Sequence, residues 1–106
     1  MVMNRVTIEL WLWLGNELGE RFESPSKMRS IREENVIEGT TIRGLIENLA
    51  KCYPAISKNV FNLKTQKFYN NVVVNYNDRI TSPYEVYDTT LKDGDKITIL
   101  PLYMGG

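Results

Sequence analysis

One long stretch of this chain repeats its apolar residues at a helical period: Ile42, Leu45, Ile46, Leu49 and Ala50. Spacings of three and four place these side chains on one stripe, with Arg43, Glu47, Asn48 and Lys51 off it. Thr41 offers an N-cap hydroxyl, and Pro54 after Tyr53 stops the helix. No capping box follows, since position 44 is glycine, and Gly44 weakens the helix. The other patterned runs are strand-like. A single amphipathic helix must bury its stripe, and here only a sheet can cover it. That constrains the chain to an α+β fold, a mixed sheet with one main helix packed on one face.

Val6, Ile8, Leu10, Leu12 and Leu14 alternate with Thr7, Glu9, Trp11 and Trp13, a period of two closed by Gly15. The aliphatic face of this predicted strand meets the core; the other begins polar and ends in two tryptophans. Residues 15 to 30 are polar and irregular, with a loop at Ser24-Pro25-Ser26. Ser30 to Ile37 reads as a second strand, paired to the first as a hairpin with a long connection. Phe61, Leu63 and Phe68 lie in a polar stretch read as loop with at most a short helical turn. Asn71 to Tyr76 is strand-like, and Asn77-Asp78 marks a turn. Thr81-Ser82-Pro83 opens a loop, and Tyr84 to Thr90 has no clear period. Asp93-Gly94-Asp95 is a second turn before the last strand, Lys96 to Leu100. The order is strand, strand, helix, strand, strand, with neither repeat nor linker. One domain over residues 1–106 is expected, with 101–106 an extended C-terminal tail.

Thirteen basic and thirteen acidic residues cancel. The chain therefore lacks the cationic footprint of a nucleic-acid binder or a polybasic membrane patch. Leu10-Trp11-Leu12-Trp13-Leu14 is too short to span a bilayer, and a cytoplasmic protein is expected. A single cysteine, Cys52, cannot form an internal disulfide, and there is no histidine. That excludes an internal Ser-His-Asp triad, a Cys-His nucleophile pair and a Cys/His zinc site. No phosphate-binding glycine loop is present either, so any ATP would be bound by another protein. The expectation is no enzyme activity and no metal site. Cys52 is expected as a packed small residue rather than a reactive thiol. Arg32-Glu33-Glu34 reads as a solvated face, and Asp93 and Asp95 as turn formers rather than metal ligands.

The sequence closes on an apolar run, Ile97 to Met104, and then Gly105-Gly106. Two glycines make a thread without side chains, able to enter a narrow channel and present the last carboxylate to another protein's active site. The segment Leu91-Lys92-Asp93-Gly94-Asp95, a strand, a short extended tail and a final Gly-Gly resemble the small sulfur-carrier family of ubiquitin-like β-grasp proteins. That family includes MoaD, the small subunit of molybdopterin synthase, and ThiS of thiamine biosynthesis. Gly39-Thr40-Thr41-Ile42-Arg43-Gly44-Leu45-Ile46-Glu47-Asn48-Leu49 resembles the family's helix start, Val72-Val73-Val74-Asn75-Tyr76-Asn77 its V-x-V-N-x-N strand, and Glu17-Leu18-Gly19 the segment after its first strand. The chain departs from the family in extra residues around 20–35 and 58–70, and in Asp78-Arg79 where a glycine turn is common.

The resemblance implies a sulfur carrier. An E1-like adenylating enzyme would use ATP to activate the Gly106 carboxylate, which is converted to a thiocarboxylate. A large synthase subunit or other acceptor enzyme then takes the sulfur. Gly106 would carry the sulfur and Gly105 permit close backbone approach. Leu102, Tyr103 and Met104 would lie along a partner's groove, with Leu100 beside them, and Pro101 would help detach the tail from the sheet. Molybdopterin synthesis is preferred over thiamine on chain length. The chain itself would bind no cofactor.

Trp11 and Trp13 have two readings of equal weight: packing under a loop or against the sheet edge, or exposure on the sheet's open face as a protein-docking patch. In the resembling family that face and the tail contact the partners. Two other functions stay open: a protein modifier joined through Gly106 to lysines of targets, and a β-grasp interaction module with a chemically silent tail.

Overall fold

In the computed structural model the described residues are 2–12, 18, 19, 22–26, 28–81 and 87–101. Strand β1 spans Met3–Leu10, β2 Ser30–Ile37, β3 Phe61–Asn62, β4 Lys67–Phe68, β5 Val72–Tyr76, β6 Arg79–Thr81 and β7 Lys96–Pro101. Helix α1 spans Ile42–Cys52 and α2 Pro54–Asn59. Among the described residues five strands form one sheet in the order β2-β1-β7-β5-β6, and β3 and β4 form a separate hairpin. β1 and β7 run parallel in the middle; their outer neighbours are antiparallel. The sheet is mixed and one long helix packs on it, the β-grasp arrangement.

The period of two in β1 does what it predicts. Val6, Ile8 and Leu10 are buried in one core cluster with Ile42, Leu45, Ile46, Leu49 and Ala50 of α1. Leu12 packs against that cluster and keeps the alternation beyond the strand's end at Leu10, earlier than Leu14. Trp13 and Leu14 lie outside the described residues. β2 has the expected bounds and pairs with β1 along its length, from Met3 opposite Ile37 to Leu10 opposite Ser30.

Helix α1 begins as its sequence dictates. Thr41 Oγ1 accepts the Gly44 N–H at 3.1 Å. The Ile42 and Arg43 N–H groups donate to the carbonyls of Thr89 and Tyr87 at 3.0 and 3.2 Å, so residues 87–91 strap the helix start. The Arg43 guanidinium lies 4.4 Å over the Tyr87 ring, which accommodates a cation in a first turn where the helix dipole disfavours it.

Four features differ from expectation. Residues 54–62 and 67–68 are not loop but α2 and the β3–β4 hairpin, with Phe61 and Phe68 edge-to-face at 5.5 Å between ring centres. β6 is an added edge strand. Its link to β5 is a two-residue turn in which Asn77 and Asp78 take φ of 50° and 68°. Asn and Asp tolerate that left-handed region, so the turn forms without glycine. Arg32 and Glu34 are not on the solvated face. The β1–β2 register turns them to the helix side, half-buried and paired to each other, while Glu33 is exposed. Cys52 is exposed: it continues the line of Leu45 and Leu49, but as the last residue of α1 it stands at the open groove between α1 and β2.

Candidate functional site

Pairing parity defines the sheet face opposite α1. With Val6, Ile8 and Leu10 inward, Arg5, Thr7, Glu9 and Trp11 take the open side. Register adds Ile31 of β2, Lys96, Thr98 and Leu100 of β7, Val73 and Asn75 of β5, and Ile80 of β6. Ile80 is 74 % exposed, and Trp11, Val73 and Leu100 are half-buried. Trp11, Leu100 and Val73 thus form an apolar row across β1, β7 and β5 at the end toward which β7 runs, with Ile80 set back on β6 at the level of Thr98.

Trp11 is half-buried and held at both its backbone and its indole. Its backbone N–H donates to the Ile99 carbonyl at 2.9 Å, which fixes it beside the end of β7. Its indole Nε1 donates to Glu9 Oε1 at 2.7 Å, and the Arg29 guanidinium lies 5.0 Å over its ring. Glu9 is 2 % exposed although it sits on the open face. It is roofed by Trp11, by Arg29, whose Nε donates to Oε1 at 2.6 Å, and by Lys96, whose Nζ lies 3.2 Å from Oε2. Burial pushes the Glu9 carboxyl up, and the hydrogen bonds from Arg29, Lys96 and Trp11 outweigh it, so it titrates below its usual value.

Sequence reasoning found Trp11 and missed Glu9 and Arg29. The available signal was parity: Glu9 is two residues before Trp11 in an alternating strand, hence on its face. Arg29 carried no signal, because its place depends on the β1–β2 register.

The Asp93-Gly94-Asp95 turn launches β7. Gly94 takes φ +89° and donates its N–H to the Arg5 carbonyl at 2.8 Å, and Asp93 Oδ1 accepts the Arg5 N–H at 2.8 Å. Asp95, 7 % exposed, accepts from Tyr76 Oη at 2.5 Å, Asn77 Nδ2 at 3.0 Å and the Lys92 N–H at 2.8 Å. In turn Asn77 Oδ1 accepts the Lys96 N–H at 2.7 Å. The asparagine that ends the V-x-V-N-x-N run and the last aspartate of D-G-D are therefore one hydrogen-bonded unit. It fixes where β7 starts, and with it where the tail leaves.

Leu100 is in β7 opposite Val73. Pro101, expected as the first residue of the tail, stands in the sheet. It is the last residue of β7, opposite Val72. Beside Val72 a proline loses no donor the ladder cannot spare, since it sits at the strand's end. Trp13, Leu102, Tyr103, Met104, Gly105 and Gly106 lie outside the described residues. No cluster of three or more metal-ligating side chains occurs among the described residues, and no helix there is long and apolar enough to cross a membrane. Away from this face, a groove of about 460 Å³ runs between β2 and α1, lined by Met3, Val36, Leu45, Leu49, Cys52 and Tyr53 among others. It gathers none of the sequence-predicted site residues.

Comparison with known proteins places this geometry. The HVO 2177 protein of Haloferax volcanii is 16 % identical with a TM-score of 0.72, over 98 % of this chain and 88 % of that one. Small archaeal modifier protein 1 of the same organism is 18 % identical with a TM-score of 0.69, over 97 % and 100 %. A Pyrococcus furiosus protein described as a candidate molybdopterin converting factor, subunit 1, is 23 % identical with a TM-score of 0.64, over 94 % and 99 %. These likenesses bear on the fold. Comparison with curated proteins gave no match. The ThiS family model matches residues 22–106, through the D-G-D turn, β7 and the final glycines, and the chain belongs to the ThiS family.

Proposed function

We propose that this chain is a sulfur carrier whose Gly106 carboxylate is activated by an E1-like enzyme and converted to a thiocarboxylate. The observation that carries the reading is the family match running to Gly106, on a fold whose last strand is pinned at its start by Asp95 and Asn77.

The chemistry asks little of the carrier. A carboxylate is a poor electrophile, because its charge is shared by two oxygens. Its oxygen attacks the α-phosphorus of ATP in the partner, and pyrophosphate leaves. Sulfide then attacks the acyl carbon and AMP leaves. A persulfide donor gives first an acyl disulfide, whose S–S bond a second thiol of the partner cleaves. That leaves a disulfide on the donor and the thiocarboxylate on Gly106, which ionises to a sulfur nucleophile. The acid, base and metal ion belong to the partners. The carrier supplies a tethered atom in place of a freely diffusing one. Delivery to a molybdopterin synthase large subunit is the preferred destination, supported by the likeness to the Pyrococcus furiosus protein.

Incubating the chain with its cognate E1-like enzyme, ATP and a sulfur donor, then taking an intact mass, tests this. The expected result is one oxygen-to-sulfur exchange at Gly106; an unchanged mass with active enzyme and donor overturns it. A second reading, conjugation through Gly106 to lysines of other proteins, is favoured by the likeness to small archaeal modifier protein 1. Isopeptide-linked Gly106 in a tryptic digest of cellular protein is its signature.

A further inference from the structure

We propose that Arg29, held at its Nε by Glu9 and lying over the Trp11 ring, is a carboxylate receptor on the open face of the sheet, and that it takes an acidic side chain of the activating enzyme. The proposal rests on the carrier reading above and adds the chemistry of the contact.

A buried carboxylate on a solvent-facing sheet needs a reason. Here the reason is its roof. Glu9 Oε1 takes both the indole N–H of Trp11 and the Nε–H of Arg29, and Oε2 takes Lys96. One carboxylate therefore holds two cations, and these three groups sum to +1; Glu23, exposed, lines the same surface pocket as Arg29 with no ion pair between them among the described residues. Neither cation is used up. The side chains of Arg29 and Lys96 remain 35 % and 44 % exposed. Arg29 spends only its Nε on Glu9, and its two Nη groups bond to no described residue. A guanidinium offers five N–H donors in a planar fork, and the edge left open is the one that grips a carboxylate with two parallel bonds.

The fork is also pre-aimed. An exposed arginine gives up rotamer entropy when it binds. In this chain part of that ordering is done in advance: Glu9 fixes the Nε end, the guanidinium carbon lies 5.0 Å over the Trp11 ring, and the Arg29 backbone N–H donates to Ser26 Oγ at 3.2 Å. A neutral or basic partner surface would leave the excess positive charge unpaired. An acidic side chain satisfies it, so charge complementarity selects the occupant.

The location matters for the reaction. Arg29 precedes Ser30, which the register sets level with Leu10 and Ile99, so the receptor stands level with the end of β7 and two strand spacings across from it, about 10 Å. Trp11 bridges that distance through its bond to Ile99. An acid seated on Arg29 fixes the distance between the enzyme's docking surface and the segment that must enter its active site.

The test is steady-state adenylation by the cognate E1-like enzyme, reading pyrophosphate release against carrier concentration, with the thermal midpoint of each variant measured beside it. Arg29→Ala is expected to raise the carrier KM about tenfold with kcat unchanged, since the receptor docks and does not react. Arg29→Lys, which keeps the charge opposite Glu9 but loses the fork, is expected not to restore KM. A KM for Arg29→Ala within twofold of wild type overturns the proposal. If Trp11→Ala then still raises KM, docking on this face stands without the receptor; if neither variant moves KM, that docking falls too. Full rescue by Arg29→Lys overturns the fork geometry. Inorganic phosphate that competes with the enzyme for the wild type at low concentration, and not for Arg29→Ala, assigns the site to a free anion and overturns the acidic partner. A wild-type chain that is never adenylated removes the carrier reading and this proposal together.

Discussion

The Tyr76 hydroxyl donates a 2.5 Å hydrogen bond to the Asp95 carboxylate, tying β5 to the turn from which β7 starts. Each partner shifts the other. Burial, then the bond to Asp95, pushes the Tyr76 hydroxyl from 10.0 up to about 12. For Asp95, burial pulls upward, and the bonds from Tyr76, Asn77 and the Lys92 backbone together hold it below its ordinary value.

Stability should therefore depend on pH at both ends, with opposite signs. Asp95 and Glu9 have lowered folded values, so their contribution is present above their ordinary values of 3.8 and 4.5 and is lost as pH falls through the folded values. Tyr76 has a raised folded value, so its contribution is present below 10.0 and is lost as pH climbs through about 12. Urea midpoints across this range should show a plateau falling away below the ordinary carboxylate values. A midpoint that does not change on acidification would remove both carboxylates from the account.

Tyr76→Phe deletes the donor and leaves the ring in place. Asp95 keeps Asn77 and the Lys92 N–H, so the cost is one bond to a buried charge, about 2 kcal/mol. Urea denaturation should show that loss, and the high-pH fall should disappear with the hydroxyl. Retention of the high-pH fall in Tyr76→Phe would assign it to another group.

The helix stripe, the first two strands and the D-G-D turn were legible because each is set by local chemistry: a period, a pairing signal, a residue suited to φ > 0. The five-residue cluster that holds the turn was not. Nothing in Val72 to Asn77 says that Asn77 will face Asp95, eighteen residues on; the β5–β7 register decides it. The same holds for the candidate site. Trp11 stood out as an aromatic on a polar face, whereas Arg29 reaches Trp11 only because β2 folds back beside β1. Cys52 and Pro101 went the other way: residue-type preference predicted a packed cysteine and a proline outside the strand, and position at the helix end beside an open groove and on the ladder overrode it.

Gly94→Ala isolates backbone strain. A Cβ there meets nothing within 4 Å, so no clash contributes. The cost is that of a β-carbon at φ +89°, about 1–2 kcal/mol. Guanidinium denaturation should show that loss with an unchanged slope. A neutral substitution would mean that the turn relaxes to negative φ and gives up the 2.8 Å bond from Gly94 to Arg5.

Ile46→Ala tests whether α1 is held by packing or by its own propensity. Ile46 is 1 % exposed in the cluster that joins α1 to β1 and β7. Alanine is the better helix former, so propensity alone predicts a small gain. Truncation in a core removes transfer free energy and leaves a cavity, a loss of about 2–5 kcal/mol. The packing loss exceeds the propensity gain, so Ile46→Ala should lower the thermal midpoint well beyond what Gly94→Ala does.

Removing Gly105-Gly106 separates fold from chemistry. The described ladder of β7 ends at Pro101 opposite Val72, and the cluster around Asp95 that fixes this strand lies at its other end. Deletion should leave the thermal midpoint within about 1–2 °C of the full chain, as changes away from buried contacts do. Adenylation and sulfur loading should be abolished, because the carboxylate then belongs to Met104, whose side chain blocks the close approach that two glycines allow. Persistent loading of the shortened chain would place the chemistry elsewhere. A collapse in stability would mean that the two glycines serve the fold, and their use as a carrier terminus would lose its support.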